Sequence, residues 1–361
     1  MSLLNMITTR KMLPLVMLSI LLVIVMLPRF NRRDAGFSTI TGGTHGSFIA
    51  DDGTRYAQPA DAWFYLEYVK YFRNTPAGDV IAPVAPFCRR PLCPLLASLL
   101  PFNEMTSLNI VNIGMLLASL AVLAAVMGLL NVSAFAGYGA LLLFVFSFPT
   151  FYYGAIGYVD PALVFFLSLG VWALITRQRT IFIVCMFIGV FAKEGIALLL
   201  PVAAAVAVQS GFRRRETVTA LAGIAGWGMA MALLSFTLGD QRHFVWIPDP
   251  ERVAGNLLRF RSLFSMMASF GIPGVFGTAF LLQRLRDRNL IAVPCIEILA
   301  TGFILSLLFC CFGIATVYAD GRCLWPMYPF AIPLSALWLD RMVATLRITS
   351  KFFLPFRQKT P

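Results

Sequence analysis

A chain of 361 residues with 59% apolar positions, 13% charged positions and a mean hydropathy of +0.79 carries too little polar surface to coat a water-soluble globule. Its 29 lysines and arginines against 17 aspartates and glutamates leave a net charge of +12, which in a soluble protein would suggest nucleic acid as partner. The composition excludes soluble enzymes, disordered chains, collagen and coiled coils, and leaves a polypeptide whose main solvent is lipid.

A bilayer core takes roughly 20 apolar residues per helix. Ten such runs are predicted, near 12–28, 106–130, 133–150, 158–176, 180–192, 195–209, 217–238, 263–283, 291–316 and 322–340. The expected architecture is all-α, a polytopic bundle of about ten spans forming a single integral membrane domain over residues 1–361. The first run lies between Arg10 and Lys11 on one side and Arg29, Arg32 and Arg33 on the other, without a small-residue cleavage site, so it reads as an uncleaved anchor. The stretch 180–209 is too long for one span, and Lys193, Glu194 and Gly195 interrupt its middle, which predicts a hairpin of short helices.

With a cytoplasmic amino terminus, the inside segments hold 15 basic residues against Glu216, Asp287 and Asp340, the whole of the +12 excess. This one-sided distribution follows the positive-inside tendency, puts both termini in the cytoplasm and removes the nucleic-acid reading.

The outer face then receives a long loop over 29–105 and several short ones, and the unusual polar residues gather there. Charge at membrane depth is costly, so such a gathering calls for water or a function. Asp51 and Asp52 form an acidic pair, and Asp61 precedes the aromatic string AWFYLEYVKYF, predicted to be an interfacial helix with Asp61 at its N-cap. Trp63, Tyr65, Tyr68 and Tyr71 on that helix suit the headgroup layer. A carboxylate at the membrane surface beside a cavity is also what a general base needs to take a proton from a hydroxyl.

Next, Arg89 and Arg90 stand before a short apolar helix in CRRPLCPLL, where two guanidinium groups suit a phosphate or merely snorkel to lipid headgroups. Asp160 precedes Pro161 and reads most simply as a helix cap. Lys193 and Glu194 sit at the hairpin tip, and Arg322 opens the last span. Glu297, near the cytoplasmic end of the ninth run, fits ion coupling or pairing with a neighbouring helix.

Two histidines, His45 and His243, make no zinc ligand set, seven cysteines make no framework, and no phosphate-binding glycine loop occurs. A disulfide among Cys88, Cys93 and Cys323 is an open alternative. Asp51, Asp52 and Asp61 offer oxygens to a divalent cation without defining a site, so no cofactor is assigned.

The strings DAWFYLEYV, CRRPLCPLL, AKEG and GRCLWPMYP, in this order, make the chain resemble the GT-C superfamily of polytopic membrane glycosyltransferases, especially its mannosyltransferase-like bacterial members. Many relatives carry an adjacent acidic pair at the catalytic position, whereas Asp61 is flanked by alanines and the pair here is Asp51 and Asp52. The resemblance implies sugar transfer from a polyprenyl-phosphate donor to a glycan or lipid acceptor at the extracytoplasmic face of a bacterial inner membrane, with inversion. It implies Asp61, Asp51 or Asp52 as base, and Tyr65, Arg89, Arg90, Asp160, Lys193, Glu194 and Arg322 as substrate-binding residues. A polytopic transporter or lipid flippase with a polar outer cavity is the alternative reading.

Overall fold

The computed structural model describes residues 9–30, 48–49, 55–56, 60–74, 86–238, 247–286, 295–317 and 319–352. Apart from an antiparallel pairing of two-residue strands, β1 (Phe48–Ile49) and β2 (Arg55–Tyr56), the described chain is helical. In chain order the α-helices are α1 (Thr9–Met26), α2 (Ala60–Phe72), α3 (Leu92–Ser98), α4 (Glu104–Leu129), α5 (Ala134–Val145), α6 (Phe148–Tyr153), α7 (Asp160–Ile175), α8 (Arg179–Ala192), α9 (Leu199–Gln209), α10 (Arg214–Leu238), α11 (Pro250–Leu258), α12 (Phe260–Arg286), α13 (Ile296–Thr316) and α14 (Tyr328–Phe352).

Five stretches among the described residues are long and apolar enough to cross a membrane: Glu104–Leu129, Ala134–Tyr153, Arg214–Leu238, Phe260–Arg286 and Ile296–Thr316. Lipid leaves no other partner for backbone amides, so apolar sequence at this depth must be helical. The outer faces stay apolar, with Leu13, Met17, Ile20 and Ile24 of α1 and Leu221, Met229 and Phe236 of α10 all exposed. The centre is α7, apolar on every side and buried along nearly its whole length, as expected of a helix surrounded by others. Small residues let neighbours close on it: a Cβ at Gly170 would strike Leu199, so α7 and the start of α9 need a glycine there.

The interrupted stretch 180–209 reverses direction. Lys193 sits beside Asp160 at the start of α7, Gly195 beside Leu163 and Leu199 beside Gly170, so the chain runs up α8 and back down the same neighbour. Lys193 is extended and Glu194–Leu198 is a 3-10 helix, which makes the turn tight.

Helix α12 breaks in its middle, where Gly271 takes φ 45°, ψ −160° two residues before Pro273. Proline cannot donate to the carbonyl four residues back, which leaves the Ser269 oxygen without its helical partner. The Tyr328 hydroxyl donates to that oxygen at 2.7 Å, so α14 supplies what the proline removes, and Ser335 adds a second tie by donating to the Pro273 carbonyl at 3.2 Å. This also fixes the start of α14, and with it the preceding 3-10 turn Gly321–Met327, against α12.

Helix α2 buries one face in the protein: Ala62, Tyr65, Leu66, Tyr68 and Val69 are buried, and only Tyr71 among its tyrosines is exposed. Its far end is stapled by Arg73, which pairs with the buried Glu104 at 3.3 Å and donates to the carbonyls of Leu100 and Phe102 at 2.9 and 2.7 Å. The Tyr68 hydroxyl donates to the Cys88 carbonyl at 3.1 Å, which joins α2 to the chain entering α3.

Candidate functional site

The site is built at the end of the bundle where α7 begins. Helix α4 prepares the ground, because two buried asparagines fix the turn before α7: Asn109 accepts from the Gly157 amide at 3.0 Å and Asn112 donates to the Tyr158 carbonyl at 2.6 Å. Gly157 has φ 85°, and a Cβ there would lie 3.0 Å from Ala62 of α2, so a left-handed turn and close packing both require glycine. The turn presents the Tyr158 ring, and the Arg322 guanidinium lies over it at 3.9 Å.

Arg322 is the hub. Its Nη1 donates to Asp61 Oδ2 at 2.9 Å, and its Nε reaches Asp320 Oδ2 at 3.1 Å. Asp320 also caps the 3-10 turn by accepting from the Arg322 amide at 2.9 Å, so the carboxylate that orients the side chain also sets its backbone. The Gly321 amide donates to Ser265 of α12 at 3.1 Å, anchoring the turn to the bundle.

Two further ion pairs surround this hub. Lys193 Nζ meets Asp160 Oδ1 at 2.6 Å, with the aspartate almost fully buried. Arg90 forks onto Glu194, donating through Nε to Oε2 at 2.8 Å and through Nη2 to Oε1. Its Nη1 also donates to the Tyr65 hydroxyl at 2.5 Å. Burial disfavours the charge on Arg90, but Glu194 beside it more than offsets this and holds the guanidinium ionised well above its usual range. Burial likewise pushes the Tyr65 phenol up against the opposing pull of Arg90, so Tyr65 serves as a neutral acceptor. Asp160 lies within electrostatic reach of Arg322 and Arg90 as well as Lys193, so the three groups share one field.

Seven residues singled out by sequence, Asp61, Tyr65, Arg90, Asp160, Lys193, Glu194 and Arg322, therefore converge from stretches up to 261 positions apart. Arg89 is half-buried beside them, and Asp51 and Asp52 lie outside the described residues. Two local readings change. Asp61 is inside the first turn of α2, not at its cap, and Asp160 spends its carboxylate on Lys193 rather than on backbone amides. Asp320 and Tyr158 were missed by sequence reasoning. Both adjoin residues that were found, in ADGR and GYVDP, and proximity to those strings was the available signal.

Asp61, Asp320 and Glu194 keep side-chain exposures of 33, 31 and 37%, so the cluster opens outward through its carboxylates while Asp160 and Arg90 form its floor. In these contacts four carboxylates, Asp61, Asp160, Glu194 and Asp320, face three cations, Arg90, Lys193 and Arg322. Among the described residues no three His, Cys, Asp or Glu side chains group to hold a metal ion, and all seven cysteines are free thiols, Cys88 and Cys93 buried. Glu297 belongs elsewhere, paired with Arg284 at 2.7 Å. No family model, curated protein or solved structure matches the chain.

Proposed function

We propose that this chain is a membrane glycosyltransferase that moves a sugar from a polyprenyl-phosphate donor to a glycan or lipid acceptor at the extracytoplasmic face, inverting the anomeric carbon. One observation carries the reading: a part-exposed carboxylate, Asp61, is held by a guanidinium, Arg322, within a cluster that also contains Lys193 and Arg90. A base beside cations at the edge of an apolar bundle suits a hydroxyl acceptor and a lipid phosphate leaving group.

In the proposed reaction the acceptor hydroxyl gives its proton to Asp61 while its oxygen bonds to the anomeric carbon. The bond from that carbon to the carrier phosphate breaks, and the phosphate leaves with the electron pair. Arg322 is placed to receive that charge, because a guanidinium binds phosphate and carboxylate through the same fork. Lys193 and Arg90 add to the positive field, each held in place by a carboxylate, Asp160 and Glu194. A single displacement with a base, rather than a carboxylate attacking the sugar, is what makes the outcome inversion.

The topology we assign has ten crossings, cytoplasmic termini and a bacterial inner membrane as its setting. It is supported by the two ends of the bundle, which differ in kind. The carboxylate-rich cluster marks one, and Arg177, Arg213 and Arg215 mark the other. Helix α7 runs 16 residues from Asp160 to Ile175, about 24 Å at 1.5 Å per residue, close to a bilayer core. The break in α12 at Gly271 and the reversal at Lys193 favour a second reading as a transporter, since interrupted helices line transport sites.

The test is transfer by the purified chain in lipid nanodiscs. Asp61→Asn is expected to lower turnover by about 10²–10⁴-fold while leaving carrier-lipid binding intact. Undiminished transfer by Asp61→Asn and by an Asp51→Asn/Asp52→Asn double variant would remove the enzymatic reading, and unchanged substrate movement with no product would favour the transporter.

A further inference from the structure

A second polar cavity lies at the opposite end of the bundle, where the carboxyl ends of α7 and α9 meet the amino ends of α10 and α13. Its volume is 580 Å³. The floor is apolar, formed by Leu174, Ile175, Ala203, Val206 and Ile298, and Arg177, Arg213 and Arg215 stand at the rim. No carboxylate among the described residues forms a salt bridge with any of these three arginines. The rim is held together by backbone instead: Arg215 Nη2 donates to the Arg177 carbonyl at 3.3 Å, and Arg177 itself turns the chain at φ 58°.

Two glutamates also line the cavity. Glu297 is taken up by Arg284 at 2.7 Å. Glu216 is different, because its Oε2 is buried without a hydrogen-bond partner. Its place in the first turn of α10 gives it a favourable helix field, but that leaves the oxygen itself unsatisfied. The cavity thus offers an anion three guanidinium groups that no described carboxylate neutralises, and one acceptor wanting a donor.

We propose that this cavity binds a phosphate ester carrying a neighbouring N–H or O–H donor, and that its source is the headgroup of an ethanolamine or glycerol phospholipid. The phosphate would lie among Arg177, Arg213 and Arg215, and the headgroup ammonium or hydroxyl would donate to Glu216. The lipid source is favoured by the apolar floor and by the exposed Val208, Phe212 and Val218 nearby in the chain, which offer surface to acyl chains. Basic pockets at the ends of membrane helices recognise headgroups through this combination of charge and apolar area. The cavity lies at the opposite end of α7 from the carboxylate cluster, about 24 Å along the helix, so its binding is measured separately from the reaction proposed there.

The experiment measures binding of dihexanoyl phosphatidylethanolamine, dihexanoyl phosphatidylcholine and glycerol 3-phosphate to the detergent-purified full chain by titration calorimetry. The wild-type chain is expected to prefer the ethanolamine lipid. Arg213→Ala/Arg215→Ala should weaken it by about thirtyfold, the loss of two headgroup-depth arginines. Arg213→Lys/Arg215→Lys should retain most of the binding. Glu216→Gln, which removes no packing, should abolish the preference for ethanolamine over choline. Unchanged affinity in the double alanine variant would overturn the site. Unchanged headgroup preference in Glu216→Gln would overturn the carboxylate contact even if the double variant failed to fold. Glycerol 3-phosphate binding as tightly as the lipid would overturn the lipid source and assign the cavity to a soluble phosphate ester.

Discussion

Arg322 is constrained on three sides, by Asp61, by Asp320 and by the face of Tyr158. A lysine would keep the charge but not the fork that serves both carboxylates, so Arg322→Lys is expected to cost transfer activity nearly as much as Arg322→Ala. Steady-state rates of the two variants in nanodiscs check this, with recovery by lysine counting against the fork. Asp160 makes a different claim, because it is buried and its partner Lys193 is mostly so. Removing one member of such a pair strands the other, which costs about 3–5 kcal/mol, the low end applying here because Lys193 keeps some access to solvent. Thermal unfolding should show Asp160→Asn strongly destabilised and Asp160→Asn/Lys193→Met largely restored; an additive double variant would mean the pair is not coupled. At this scale the sequence was informative where charge met hydrophobic context. It named Asp61, Lys193 and Arg322 because lipid makes such residues conspicuous, but it took Asp160 for a cap, since Asp-Pro at a helix start has that meaning in water.

The elements were legible to the extent that membrane length imposes them. The apolar runs around 106–130, 217–238 and 291–316 reappear as α4, α10 and α13, because chain in lipid has few alternatives to helix. For helix α2 the aromatic string fits a headgroup layer and a protein core alike, and the structure packs one face into the protein, where Arg73 staples it to Glu104 and the chain ending α3. The break in α12 is the element most open to test. If the Tyr328 hydroxyl replaces the amide that Pro273 lacks, Tyr328→Phe strands the Ser269 carbonyl and lowers stability by about 1–3 kcal/mol. Thermal shift in detergent measures this, and an unchanged midpoint would mean water serves that oxygen equally well.

Among the described residues, one end of the bundle gathers paired carboxylates and the other gathers Arg177, Arg213 and Arg215, which no described carboxylate pairs. Charge counting placed these arginines together, on the side proposed to be cytoplasmic. It could not anticipate which loops touch, since the contact of Asp61 with Arg322 spans 261 positions and depends on how α7, α12 and α14 pack. Sidedness has a direct test in a Cys311→Ser background, which removes the exposed native thiol. Phe102→Cys should react with an impermeant maleimide from outside, and Arg213→Cys only after lysis; the opposite pattern would invert the assigned topology.

The most direct measurement of the account is the anomeric configuration of the product formed from ¹³C-labelled polyprenyl-phosphate sugar by the purified chain in nanodiscs, read by NMR coupling at the anomeric carbon. A product of inverted configuration that disappears in Asp61→Asn is the predicted result. A product of retained configuration, or a wild-type chain that transfers no sugar from any carrier-linked donor offered with its acceptor, would contradict it.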